Sequence, residues 1–148
     1  MKTMICATEQ ETESLGRRLI HALPVPSFVA LYGDLGAGKT ALVRGMGAEV
    51  GTSEVRSPTF TIVHEYETQP KLIHFDAYRL DNAEELFAIG FDDYLAQNAV
   101  IVLEWAERVP EALPKEWLEL RLTGSGNDPR EICLTAFGAV YESVVNAL

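Results

Sequence analysis

The stretch FVALY-GDLGAGKT-ALVRGMGAEV (residues 28–32, 33–40 and 41–50) decides how this chain folds. FVALY is apolar throughout, without alternation, which is the pattern of a strand buried on both faces in a parallel sheet. GDLGAGKT matches the phosphate-loop pattern GxxxxGK[ST], with Gly33, Gly38, Lys39 and Thr40 in the fixed places. Residues 40–50 then read as a helix, stopped by Gly51. Strand, glycine-rich turn and helix, in that order, are what the motif requires. Glycines let backbone N–H groups converge on phosphate oxygens, and the helix N-terminus adds the positive end of its dipole. Lys39 is expected to reach the β- and γ-phosphates and the Thr40 hydroxyl to ligate Mg²⁺, while Gly36 adds a further point of close approach. The plainer alternative is a glycine-rich turn that binds nothing.

Outward from this unit the chain keeps alternating strand and helix signals. Residues 2–7 read as a short first strand. Thr8 with Glu11 forms a capping-box pattern for a helix whose Leu15, Leu19 and Leu23 recur at helical spacing, closed by Pro24 and Pro26. Residues 60–66 alternate, 71–75 form another strand, and Thr68-Gln69-Pro70 between them reads as a hairpin turn. Asp81 and Glu84 are expected to cap a helix through Ala88, with a second short one after Gly90. AVIVL (residues 99–103) is a second continuous apolar run. Residues 116–123 and 131–136 read as late strands around a turn-rich segment, and 138–147 as a last helix. These signals predict one α/β domain over residues 1–148: a mostly parallel central sheet with an antiparallel hairpin and flanking helices.

Hydrolysis of a phosphate needs carboxylates at strand ends beside the loop. Asp76 ends the strand LIHF, the position of a Walker B aspartate, and Glu104 ends AVIVL, where a carboxylate can hold metal or orient a water. Solvated strand-end acids are the plainer reading of both. Ser57 and Thr59 flank Pro58 in a loop that suits a switch contacting a γ-phosphate or metal-bound water, or that simply enters a strand. Arg79 is open between a phosphate contact and an ion pair. His21, His64 and His74 show no ligand spacing and read as surface or packing residues.

Composition narrows the function classes. The chain has 148 residues, with 12 Lys plus Arg against 22 Asp plus Glu, a formal net charge of −10. Such a chain does not by itself grip nucleic acid or an anionic membrane, both polyanions. The excess is local: residues 81–111 hold eight acids and one base, whereas residues 1–58, including the phosphate loop, hold six of each. That acidic stretch is either a solvated helical face or a docking surface for a basic partner. Cys6 and Cys133 form no CxxC or Cys/His pattern and read as inert thiols in a reducing compartment. With no secretory leader pattern and no membrane-length apolar run, a cytoplasmic protein is expected.

Among phosphate-loop proteins, a GTPase needs NKxD and a DxxG after its strand-end aspartate, and neither occurs. No LSGGQ-type signature is present, and the arginines are too scattered for a kinase lid. Adenine is the expected base. The ordered set GDLGAGKT, SPTFT, HFDAYRL and LEW resembles the bacterial TsaE (YjeE) family over most of the chain. Two positions depart from it: Ala77 stands where leucine is common and Ala41 where a second threonine often follows GKT. The resemblance implies a weak ATPase that uses ATP and Mg²⁺ and supports the TsaB–TsaD pair, which installs threonylcarbamoyl on adenosine 37 of tRNAs reading ANN codons. tRNA would be met only through those partners.

By the same resemblance, Gly33, Leu35, Gly36, Ala37, Gly38, Lys39, Thr40 and Ala41 form the nucleotide site. Thr40, Asp76 and Glu104 serve metal, and Lys39, Asp76 and Glu104 serve catalysis, with Glu104 needed for hydrolysis. Thr59, with Ser57, supplies the switch hydroxyls, and Glu9, Thr12 and Arg130 lie near the nucleotide. A nucleotide-gated binding module and a small-molecule kinase are the rival classes.

Overall fold

In the computed structural model, which describes residues 1–148, the elements run β1 (Lys2–Cys6), α1 (Glu9–Ala22), β2 (Ser27–Tyr32), α2 (Lys39–Val50), β3 (Val63–Tyr66), β4 (Lys71–Asp76), α3 (Ala83–Ala88), α4 (Phe91–Leu95), β5 (Ala99–Glu104), β6 (Trp117–Thr123), β7 (Arg130–Phe137) and α5 (Ala139–Ala147). The strands make one seven-stranded sheet in the order β1-β7-β6-β2-β5-β4-β3. β6, β2, β5 and β4 run parallel in its centre, and the hairpins β3–β4 and β6–β7 and the pair β1–β7 are antiparallel. The two continuous apolar runs are the neighbours β2 and β5, every residue of which is buried.

Alternate residues of these strands feed two cores. One lies under α1, α2 and α5 and includes Leu15, Leu42, Val102 and Tyr141. The other lies under α3, α4 and the short turns after β5, and includes Phe75, Phe91 and Leu103. No helix is long and apolar enough to cross a membrane.

Thr8 caps helix α1 as expected, its Oγ1 accepting from Glu11 N at 3.1 Å, whereas Glu11 Oε2 accepts from Ala7 N, one residue before the cap. α1 and α2 then pack with almost no space between their backbones. A Cβ on Gly45 would stand 1.9 Å from Glu13 O, and one on Gly16 would stand 2.1 Å from Leu42 O. Glycine at both places is what lets α1 lie against the phosphate-loop helix.

Two expectations are corrected. Residues 60–62 do not extend β3. The chain turns there, with Ile62 N donating to Pro58 O at 2.6 Å and Ile62 itself at φ 71°. Residues 57–59 are held by side-chain bonds instead of a strand ladder, so pairing starts at Val63. The cap of α3 is Asn82, one residue later than expected: its side chain accepts from Glu85 N at 3.1 Å, while Glu85 Oε2 accepts from Asp81 N.

Candidate nucleotide site

Parallel strands deliver their side chains to one edge. β2 ends in the loop at Gly33, β5 next to it ends at Glu104, and β4 one strand further ends at Asp76. The register pairs Leu31 with Glu104 and Glu104 with Asp76. Adjacent strands lie about 4.8 Å apart, so both carboxylates sit beside the loop. The expected Walker B strand is therefore not the loop's immediate neighbour; the strand of Glu104 is. Asp76 and Glu104 are each 2 % exposed, so neither is the solvated strand-end acid of the plainer reading.

Three donors hold Asp76. Ser57 Oγ and Thr59 Oγ1 reach Oδ2 at 3.0 and 2.9 Å, and Tyr78 N reaches Oδ1 at 2.9 Å. The two hydroxyls are also 2.8 Å from each other. Two hydroxyl hydrogens cannot fill three contacts, and a carboxylate is the stronger acceptor, so both point to Asp76. Glu104 is held once, by buried His74, whose Nε2 lies 2.5 Å from Oε2.

Lys39 opens α2 and is 5 % exposed. Its ammonium donates to Gly33 O and stands 3.8 Å over the Trp105 ring. Burial pushes its pKa below the ordinary 10.5, with Glu104, Glu107, Asp76 and Asp34 pulling the other way. Trp105 occupies the left-handed region at φ 60°, which turns the chain sharply off β5 directly after Glu104. Gly38 (φ 102°) and Gly36 (φ 79°) also take conformations that side chains disfavour, and a Cβ on Gly36 would meet nothing within 4 Å. Arg130 braces the loop from β7, with Nη2 donating to Gly36 O at 3.1 Å and Gly126 O at 3.0 Å.

These groups surround a cavity of about 580 Å³, within the range of small-molecule sites. Leu35, Gly36, Gly38, Lys39, Thr40, Ala41, Ser57, Thr59, Asp76, Glu104, Glu9, Thr12 and Arg130 all line it. Gly33 and Ala37 do not; they line a smaller cavity behind the loop with Tyr32 and Asp34. Glu9 shares Arg44 with Glu13, at 2.7 and 2.8 Å. Arg79 forms no ion pair and is not among the residues that line the cavity; it lies 4.2 Å over the ring of Phe60, which is 81 % exposed.

The residues suit a phosphate ligand. A glycine-built concavity, a helix N-terminus and a buried ammonium converge at one point. No three His, Cys, Asp or Glu side chains gather into a self-contained metal site. Thr40, Asp76 and Glu104 on one wall instead suit a hard divalent cation that shares its shell with phosphate oxygens and water.

Sequence reasoning missed several contributors. Cys6, Ala7, Thr8 and Arg44 line the cavity beside α1 and α2, which Gly16 and Gly45 bring together, a tertiary contact with no local signal, and Gly126, Asn127 and Asp128 line it from the turn before β7. Burial raises the Cys6 thiol pKa there, which favours the protonated over the nucleophilic form. His74 shares one face of β4 with Asp76 through its period-two spacing, but nothing in the sequence shows its bond to Glu104 across the strands.

The model of the family described as threonylcarbamoyl adenosine biosynthesis protein TsaE matches residues 6–132. The protein of that name from Bacillus subtilis is 39 % identical over 142 residues, covering 94 % of this chain and 88 % of the relative. Its counterpart from Synechocystis is 45 % identical over 113 residues, 71 % of this chain and 69 % of the relative. The crystal structure of Bacillus subtilis YdiB superposes with a TM-score of 0.83 at 33 % identity, covering 98 % of this chain and 91 % of that one. With the phosphate loop, both strand-end carboxylates and the whole sheet accounted for, the chain belongs to the TsaE family.

Proposed function

We propose that this protein binds ATP with Mg²⁺ and hydrolyses it in support of tRNA threonylcarbamoyladenosine biosynthesis, acting with the TsaB–TsaD pair on adenosine 37 of tRNAs reading ANN codons. The observation that carries this reading is the convergence of Lys39, Thr40, Asp76 and Glu104 on one cavity. The loop N–H groups and Lys39 bind the β- and γ-phosphates, and Glu104 orients a water for in-line attack on the γ-phosphorus. The water's oxygen bonds to phosphorus as the bond to the β–γ bridging oxygen breaks, and ADP leaves. Thr40 and Asp76 would hold Mg²⁺, which would supply charge neutralisation to the phosphates. Lys39 and the loop N–H groups stabilise the charge that develops; no covalent step is needed.

The chain's acidity fits this division of labour, since tRNA would be held by the partners. A nucleotide-gated role is favoured by one observation: Asp76 is capped by Ser57 and Thr59, and Lys39 is folded onto Gly33 and Trp105. A phosphate would compete with Gly33 O and the Trp105 ring for the Lys39 ammonium, which would link occupancy to conformation.

Lys39→Ala is expected to abolish ATP binding. Glu104→Ala is expected to bind ATP and release no phosphate; normal release by Glu104→Ala would remove its assigned role. Phosphate release measured alone, with TsaB–TsaD and with tRNA added tests the partnership. A rise only with the pair supports it, labelled γ-phosphate on an acceptor would indicate a kinase, and tRNA modification by a hydrolysis-dead variant over many turnovers would favour gating alone.

A further inference from the structure

His74 lies two residues before Asp76 on β4, on the sheet face that also carries Glu104 and the core under α2. It is 0 % exposed and makes one polar contact, to Glu104; its Nδ1 has no partner. A buried N–H without an acceptor is harder to accommodate than a lone pair without a donor. The hydrogen is therefore assigned to Nε2, which donates to Glu104 Oε2, while Nδ1 keeps its lone pair.

The two carboxylates differ sharply in how they are held. Asp76 has two hydroxyls and a backbone N–H, and remains fixed if any one is lost. Glu104 has a flexible side chain, is 2 % exposed, and has His74 as its single donor. With Oε2 tied to His74, Oε1 is the carboxylate oxygen without a hydrogen-bond partner in a residue that lines the cavity.

We propose that His74 is a positioning residue for hydrolysis, holding Glu104 Oε2 so that Oε1 orients the attacking water. This rests on the reading of Glu104 as the water-orienting group. A single oriented hydrogen bond is enough to matter, because a carboxylate free to rotate presents the wrong oxygen or the wrong angle for much of the time.

Three substitutions separate the role from simple core filling. In His74→Gln the amide nitrogen reaches the place of Nε2; in His74→Asn it reaches only the place of Nδ1; His74→Leu has no donor. Single-turnover phosphate release from Mg·ATP is expected to slow about tenfold or more in the Leu and Asn variants, with ATP affinity unchanged within about twofold. Rescue to within about threefold of the parent rate is expected in the Gln variant. In the ligand-free protein, nitrogen-15 NMR is expected to show the Nε2–H tautomer of His74, with its signals displaced in Glu104→Gln.

Asn as fast as Gln, ATP affinity falling in step with the rate, or an Nδ1–H tautomer would each overturn the proposal. Glu104→Gln separates the two levels. Wild-type release by that variant removes the role of Glu104 itself, whereas a slow Glu104→Gln beside a fast His74→Leu removes only the role of His74.

Discussion

Lys39 carries the site's largest conflict between folding and binding. Its ammonium must be charged to hold phosphate, yet burial favours the neutral amine and lowers its pKa. In the ligand-free protein the charged form is therefore a burden at neutral pH. That burden is relieved as pH rises through the lowered pKa toward 10.5, where the unfolded chain titrates. Lys39→Met is accordingly expected to raise the melting temperature at pH 7 while abolishing ATP binding, as thermal unfolding with and without nucleotide would show. The ligand works the other way: phosphates favour the charged amine, so ATP affinity is expected to fall with rising pH below 10.5 and binding there to take up protons, measurable by calorimetry in two buffers. At this scale the loop residues, Asp76 and Glu104 were legible because their chemistry is tied to local order: strand end, glycine turn, helix start. His74 was not, because its meaning comes from a bond across strands to Glu104, thirty positions away.

Among the elements, the α1–α2 contact sets the width of the site. Both helices contribute lining residues, and no side chain fits between them at Gly45. Gly45→Ala must push α1 outward, so a loss of about 1–3 kcal/mol is expected. ATP affinity should fall with it, because Thr8, Glu9 and Gln10 move away; chemical denaturation paired with ATP titration checks both. The loop of residues 57–59 makes a different prediction. Ser57→Ala with Thr59→Ala leaves Asp76 Oδ2 without its two donors, costing about 1–3 kcal/mol, and should free the loop to proteolysis without nucleotide. The helix boundaries were legible from Thr8, Gly51 and the proline stops, whereas the loop was not: alternation in residues 60–66 suggests a strand, but side-chain bonds to Asp76 outweigh ladder pairing by residues 60–62.

Over the whole molecule, the sheet divides the protein's business between two faces. α1, α2 and the nucleotide site lie on one, while α3 and α4 on the other carry Glu84, Glu85, Asp92 and Asp93, all exposed and none in an ion pair. Reversing these four charges is expected to weaken assembly with a basic partner and leave ATP affinity unchanged; unaltered assembly would mark the acidity as solvation only. The parallel centre was legible because β2 and β5 are apolar throughout, which only a strand covered on both faces requires. The order of strands was not, since β6 and β7, made late in the chain, insert between β2 and the edge strand β1. The same layout separates the two tryptophans. Trp105 follows the C-terminal end of β5 under the Lys39 ammonium, whereas Trp117 begins β6 at the other edge, stacked 4.3 Å from Phe137. In a Trp117→Phe background the protein has one emitting indole, in contact with the ammonium for which a bound phosphate would compete. Its fluorescence then reads the occupied and empty states of the loop without any added dye.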